Sequence, residues 1–470
     1  MSQFLRYVLA CGAMLCGVDL LAVPAATAGV LDEAFADHGR KVLDFTGWPG
    51  ASGLEYAIAN CPAANGRQLV VMRDTNSGIL VTRLNFDGSV DTGFGGNGLR
   101  RHPVPLSNLS GVASASVCRA DGGIWIAATA FFSNEDWRIR LLALDAQGER
   151  VAGGAFGPQG FADIALERDG IDLQPRRYVL GFNQASDGRA FVTGDVASAA
   201  GHTVPWLIAL DADGGLRGAP VVQPTGVAGD TNATTAGVGP GGGIWVVGRG
   251  YGSNDWRTVY RAYLDPESLA LVNTERFQIP DQHVDVSGGE MVRSGVMVVG
   301  ASRRANASSP ARPVLLVLRT GGDITALDLP SAPPLADDGT QTGIAAEGKT
   351  IVALPDRRVL YATGAEQWNG TQFGGYKGWY FAQAVIGASA AEDRVDVDFG
   401  DGGRAVYSAA SGEPDCGGLL NTQYHVRAGV WQGRPTVIGH WSRRCNPEGE
   451  RDAVLLRLRP GDTVFADGFD

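Results

Sequence analysis

Short apolar runs, each introduced by a turn, recur along the whole chain. Asn65-Gly66 leads into Leu69-Val70-Val71, and Asp121-Gly122-Gly123 leads into Ile124-Trp125-Ile126. The same phrase returns as Asp187-Gly188 before Phe191-Val192-Thr193-Gly194, and as Gly242-Gly243 before Ile244-Trp245-Val246-Val247-Gly248. Ser294-Gly295 precedes Met297-Val298-Val299-Gly300, and Pro355-Asp356 precedes Leu360-Tyr361-Ala362-Thr363-Gly364. Gln432-Gly433 before Thr436-Val437-Ile438-Gly439 completes seven copies. A second apolar run follows each first one, as in Val81-Thr82-Arg83-Leu84, Leu141-Leu142-Ala143-Leu144 and Leu207-Ile208-Ala209-Leu210. Several of these meet Asp87-Gly88, Gln147-Gly148, Asp213-Gly214 or Gly321-Gly322, turn pairs suited to the positive φ of a tight hairpin.

A strand with one wet face alternates apolar and polar residues. These runs are nearly continuous, so both faces are covered. Units spaced by roughly 50 to 75 residues hold four short strands and their loops. No long segment combines helical periodicity with caps. A sandwich uses similar strands but does not need one phrase seven times. The pattern predicts an all-β chain: a β-propeller of about seven blades, each a four-stranded antiparallel sheet packed between two others.

A third element makes the unit more specific. It reads Leu84-Asn85-Phe86-Asp87-Gly88-Ser89-Val90-Asp91-Thr92-Gly93-Phe94-Gly95-Gly96-Asn97-Gly98. Echoes stand at Phe156-Gly157-Pro158-Gln159-Gly160 and Phe399-Gly400-Asp401-Gly402-Gly403, while repeats three to five lack the Phe-Gly step. This resembles the delta-60 repeat, a propeller-like repeat of bacterial exported and surface proteins. The resemblance implies a fold and a compartment, and no particular chemistry. One copy is displaced: Leu31-Asp32-Glu33-Ala34-Phe35-Ala36-Asp37-His38-Gly39 stands before any first strand, and the seventh repeat ends near Gly461 without one. The N-terminal segment is therefore expected to complete the last blade and close the ring, leaving no open array edge.

Glycine supplies 67 of 470 residues without a Gly-X-Y period, which again means many turns. Arg6, the mostly apolar stretch from Tyr7 to Val23 and Ala26-Thr27-Ala28 read as a signal peptide with its cleavage site. Asp19 interrupts that stretch; an uncleaved anchor fits less well, because the clean run is too short to span a bilayer. The expected organisation is a signal peptide over 1–28, a propeller over 29–462 and a short tail over 463–470. No later segment holds 18 uninterrupted apolar residues, so no membrane insertion is expected after cleavage. The expected location is secreted, periplasmic or cell-surface.

Cys11 and Cys16 would leave with the signal, and Cys61, Cys118, Cys416 and Cys445 would enter an oxidising compartment. Cys61–Cys118 with Cys416–Cys445 is the favoured pairing, because both alternatives are long-range. Free buried thiols are the other reading, and zinc lacks its usual ligand spacing. A net charge of −11 without a basic block argues against nucleic acid.

Candidate chemistry is sparse. Ser133-Asn134-Glu135-Asp136-Trp137-Arg138 and Ser253-Asn254-Asp255-Trp256-Arg257 form a matched pair of motifs, readable as loop contacts or as aromatics wedged between blades. Asp211-Ala212-Asp213-Gly214-Gly215 and Asp396-Val397-Asp398-Phe399-Gly400-Asp401 resemble fragments of calcium loops, but fall where turns are expected and lack a full ligand set. His38, His102, His202, His283, His425 and His440 are scattered, and no nucleophile elbow, phosphate loop or HExxH motif is present. Val464-Phe465-Ala466-Asp467-Gly468-Phe469-Asp470 reads either as a sorting tag or as a frayed end.

These features lean away from an enzyme. They suggest an exported, monomeric propeller that acts as a binding or scaffold module, with an unknown protein or glycan partner at the cell envelope and no cofactor. Trp368, Tyr376, Trp379 and Trp431 join Trp137 and Trp256 as candidate ligand contacts, with blade packing as the alternative role of each. The rival is a carbohydrate-active hydrolase or lyase on a propeller scaffold. That chemistry needs two carboxylates about 5–10 Å apart, and the sequence does not single out a pair.

Overall fold

The structure is a computed structural model that describes residues 31–44, 55–74, 78–103, 114–133, 136–166, 173–199, 201–224, 231–250, 258–279, 283–293, 295–305, 309–322, 324–333, 341–344, 350–369, 372–408, 426–442 and 451–459. The segment read as a signal peptide, Cys416, Cys445, Trp256 and the 463–470 stretch lie outside them.

Seven antiparallel sheets follow one another along the chain. Blade 1 is built from Glu55–Ala63, Arg67–Asp74, Gly78–Leu84 and Leu99–His102. Blade 2 uses Ser114–Cys118, Ile124–Ser133, Asp136–Leu144 and Phe161–Ile164; blade 3 uses Leu173–Gln184, Ala190–Ser198, Thr203–Leu210 and Val221–Val222. Blade 4 uses Thr235–Val238, Ile244–Arg249, Thr258–Leu264 and Leu271–Gln278; blade 5 uses His283–Arg293, Val296–Arg304, Arg312–Arg319 and Ile324–Asp328. In blade 6 the outer two positions are split. Gln341–Ile344 and Thr350–Ala353 both pair with Arg358–Asn369, while Arg394–Val395 and Arg404–Ser408 both pair with Gln372–Val385. Blade 7 uses Arg427–Trp431, Arg434–Ser442, Arg451–Arg457 and, as its fourth strand, Arg40–Leu43.

The first strand of each blade touches the first strand of the next, and that of blade 7 returns to that of blade 1. The chain is a seven-bladed β-propeller whose ring is closed by its N-terminal segment. The apolar runs legible in the sequence are the second and third strands of each blade. Leu69, Val70, Val71, Met72, Leu80 and Val81 are completely buried because each blade is covered on both faces. Fourth strands are different: Leu271–Gln278 of blade 4 is half-exposed to exposed throughout.

Closure copies the internal repeat. Phe35, Phe94 and Phe399 each donate their amide to the carbonyl of the residue three before (Asp32, Asp91, Asp396) at 2.9, 3.0 and 3.1 Å. Each then accepts at its own carbonyl from the glycine four residues on, Gly39, Gly98 and Gly403. Bridge Leu31↔Leu458 of blade 7 likewise matches Leu84↔Val90 of blade 1. The displaced Phe-x-x-x-Gly copy therefore does in blade 7 what its counterpart does in blade 1.

Two separately legible features of the repeat prove to be one contact. The phenylalanine of one blade lies on the turn glycine of the next: Phe35 on Gly88, Phe94 on Gly148 and Phe156 on Gly214. A Cβ on Gly148 would stand 2.8 Å from the Phe94 ring and 3.1 Å from Val81, at φ +71°. Gly148→Ala is therefore expected to cost about 1–3 kcal/mol through overpacking and a left-handed backbone. A urea unfolding midpoint unchanged from wild type would contradict this account of the contact.

The blade 7 seam is also ionic. Asp32 is buried and forms ion pairs with Arg434 and, at 2.6 Å, with the completely buried Arg457. Burial pushes the Asp32 carboxyl up, but the hydrogen bond from Arg434 and the charges of Arg457 and Arg434 outweigh it and hold the group below its usual range. The Arg457 guanidinium sits 4.5 Å from the Phe35 ring centre, 4.4 Å from that of Phe86 and 5.3 Å from that of Trp431, and donates to the Phe86 carbonyl at 2.6 Å. Blade 7, the N-terminal segment and blade 1 thus meet around one cation.

Candidate functional site

The seven first strands enclose a cavity of about 380 Å³ on the ring axis, towards the end where they turn into second strands. These strands are poorer in apolar residues than the two that follow, because one side of each faces the channel. Blade 3 contributes Asn183 and Gln184, blade 5 Glu290 and Met291, blade 6 Thr350 and blade 7 Arg427. Small residues, such as Ala236, Gly237, Gly288 and Gly289, keep the wall of blades 4 and 5 close to the backbone.

Hydrogen bonds tie one first strand to the next around this wall. Ser116 Oγ donates to the Ile58 carbonyl at 3.1 Å, joining blades 2 and 1. Asn183 Nδ2 donates to the Ala236 carbonyl at 3.0 Å and to Thr235 Oγ1, and Thr235 Oγ1 donates to the Gly289 carbonyl at 3.0 Å. Those bonds join blades 3, 4 and 5. The Ala353 amide donates to Glu290 Oε2 at 2.8 Å, and Thr350 Oγ1 donates to the Val426 carbonyl at 2.6 Å, carrying the hoop through blades 6 and 7. Asn60 Nδ2 donates to Thr436 Oγ1 at 2.9 Å between blades 1 and 7.

Cys61 and Cys118 are bonded to one another, as the sequence favoured, and the bond crosslinks the first strands of blades 1 and 2 beside the channel. The partner pairing, Cys416–Cys445, lies outside the described residues.

The channel carries two unusual ionisable groups. Desolvation pushes the Glu290 carboxyl up to about 7, opposed only by the Ala353 amide. Desolvation lowers the Arg427 guanidinium to about 10. Glu290 lines the cavity and is half-buried, with Oε2 accepting from the Ala353 amide. Sequence reasoning did not single it out. Its signal is positional: Gly288-Gly289-Glu290 lies at the end of the strand that runs into the Ser294-Gly295 turn.

The aromatic candidates fall elsewhere. Trp137 is buried with its ring 6.4 Å from Tyr178 of blade 3. Trp379 is buried against Tyr407 and over Gly439 of blade 7. Trp431 is buried beside Phe35 and Phe86, and its Nε1 donates to the Gly66 carbonyl at 3.2 Å. These three fill gaps between blades, the alternative role that the sequence allowed. Trp368 and Tyr376 stand on the facing strands of the long blade 6 hairpin, opposite Phe373 and Glu366.

The acidic fragments act as turns. Asp213 Oδ1 accepts from the Gly215 amide at 2.9 Å, Asp211 pairs with Arg217 at 2.8 Å, and Asp396 pairs with Arg358 at 2.8 Å. Among the described residues no group of three His, Cys, Asp or Glu side chains is placed to hold a metal ion. His102 is buried with Nε2 2.6 Å from the Gly148 carbonyl, and burial lowers its pKa. It therefore serves the interface between blades 1 and 2.

No protein-family model matches the chain, and no curated protein does. Among solved structures, it is similar to a Dyadobacter fermentans protein of unknown function, with 12% identity, 90% of this chain and 98% of that chain covered, and a TM-score of 0.40. It is also similar to the Dos1 propeller, with 13% identity, coverage of 85% and 77%, and a TM-score of 0.39. A Trypanosoma rangeli sialidase shares 12% identity over 84% of this chain and 59% of that one, with a TM-score of 0.44.

Proposed function

We propose that this chain is an exported, non-enzymatic β-propeller, a binding or scaffold module of the cell envelope or the extracellular space, with a protein or glycan as its larger partner. The repeat elements around Phe94, Phe156 and Phe399 support placing it with delta-60-type exported proteins. The Cys61–Cys118 bond suits an oxidising compartment. The observation that carries the non-enzymatic reading is the lining of the axial cavity: among its described residues Glu290 is the single carboxylate, and Asp285 of the same strand is paired with Arg249 near the other end. Glycosidic hydrolysis by the usual route draws on two, so the hydrolase reading has no pair to start from there.

A combined depletion and cleavage assay tests this. The mature protein is incubated with cell envelope and a panel of polysaccharides, and both protein loss from solution and new reducing or unsaturated ends are followed. Depletion without new ends is the expected result. New ends that depend on the protein would overturn the non-enzymatic reading.

A further inference from the structure

Apart from Arg427, the polar side chains of the cavity wall spend most of their donors on the protein. Both donor bonds of Asn183 Nδ2 go to protein oxygens, Gln184 Nε2 donates to the Gly188 carbonyl at 3.1 Å, and the Ser116 and Thr350 hydroxyls donate to backbone carbonyls. What these side chains leave towards the cavity is mostly acceptor capacity: amide oxygens and hydroxyl lone pairs. Glu290 adds a carboxylate whose only hydrogen bond within the described residues is the Ala353 amide on Oε2. A carboxylate can accept about four hydrogen bonds, so most of its capacity faces the cavity.

Among the described residues its carboxylate has no ion-pair partner. The first strands on either side, Thr235–Val238 and Thr350–Ala353, hold no ionisable residue. Arg293 stands on the same strand but donates to the Gly387 carbonyl of blade 6. On the adjoining second strand, Arg303 pairs with Asp328 and Arg304 with Glu366. Arg249 of blade 4 pairs with Asp285 near the other end of the Glu290 strand. Arg427 shares the cavity but sits two blades away, with a bond to the Val426 carbonyl at 3.3 Å.

We propose that the channel binds a small organic molecule bearing a primary ammonium group, with Glu290 as its counter-ion and the amide oxygens of Asn183 and Gln184 as further acceptors. A cavity of about 380 Å³ admits a compact amine or the amino end of a longer one. One carboxylate is a poor match for calcium, which takes six to eight oxygen ligands, whereas a single ammonium presents three donors and one charge. This inference rests on the binding-module reading and names the chemistry of one of its sites.

The probes are ethanolamine and ethylamine, with N-acetylethanolamine as the neutral control, titrated by ligand-observed NMR into the mature protein. Because Glu290 titrates near 7 and must be ionised to bind, affinity for ethanolamine should rise about tenfold between pH 6 and pH 8. Glu290→Gln keeps the acceptor for Ala353; it is expected to lose at least tenfold in affinity and to lose the pH dependence. The wild-type pH profile tests the same idea without a variant, should the substitution disturb folding. Binding of N-acetylethanolamine as tight as that of ethanolamine, an unchanged Glu290→Gln titration, a flat pH profile, or no binding up to 100 mM of either amine would each overturn the proposal. Envelope depletion that persists in any of those cases keeps the binding-module reading and removes only this site from it.

Discussion

Asp32→Ala is expected to destabilise the protein by about 3 kcal/mol, the lower part of the range for removing one partner of a buried ion pair. Arg457 is completely buried, so loss of Asp32 leaves its charge with three aromatic rings and one carbonyl. Arg434, which is 36% exposed, can turn towards solvent and should add little to the deficit. The damage should be local first. Native-state hydrogen exchange at Arg40–Leu43 and their partners Ala453 to Leu456 should accelerate roughly a hundredfold, with blades 3 to 5 unaffected. The sign with pH follows from the depressed Asp32 pKa. Its contribution is present above the unfolded value of about 3.9 and is lost as pH falls through the folded value. The gap between wild type and variant should therefore be constant from pH 6 to 8 and close in acid below about pH 4. Equal exchange rates in the two proteins at pH 7 would show that the seam does not depend on this pair.

Replacing both Cys61 and Cys118 by serine should cost about 4 kcal/mol, the loop-closure value for a bond spanning 57 residues. That bond joins the first strands of two neighbouring blades, so its loss acts on the channel as well as on the unfolded chain. Chemical denaturation under oxidising conditions measures the cost. The double variant and the reduced wild type should agree. A double variant as stable as the oxidised protein would mean that the interface between blades 1 and 2 carries the whole load without the crosslink.

The second and third strands of each blade were legible because burial on both faces favours near-continuous apolar runs; Leu69 to Met72 and Leu315 to Leu318 show this plainly. First and fourth strands were not, because each meets water on one side or along an edge. Ring closure was legible from a misplaced Phe-x-x-x-Gly copy, but its partner in space was not: nothing along the chain links Phe94 to Gly148. Trp137, Trp379 and Trp431 were legible as large aromatics with two possible roles, ligand contact or blade packing; they are buried between blades, where large rings fill the gaps. Glu290 is one of 50 acidic residues, and only the meeting of seven first strands on one axis distinguishes it.

The seam between Arg40–Leu43 and Arg451–Arg457 has a consequence in time. The strand that finishes the last blade is made before any other strand of the ring, and its partner only after every other blade. Joining them closes the longest loop in the described chain, the step that loop-closure entropy penalises most. Blades 1 to 6 can therefore stack while the early strand waits, its Phe35 and Leu31 without their final neighbours. During that interval the unfinished blade 7 presents an open apolar edge, the surface at which aggregation or a chaperone would compete with completion.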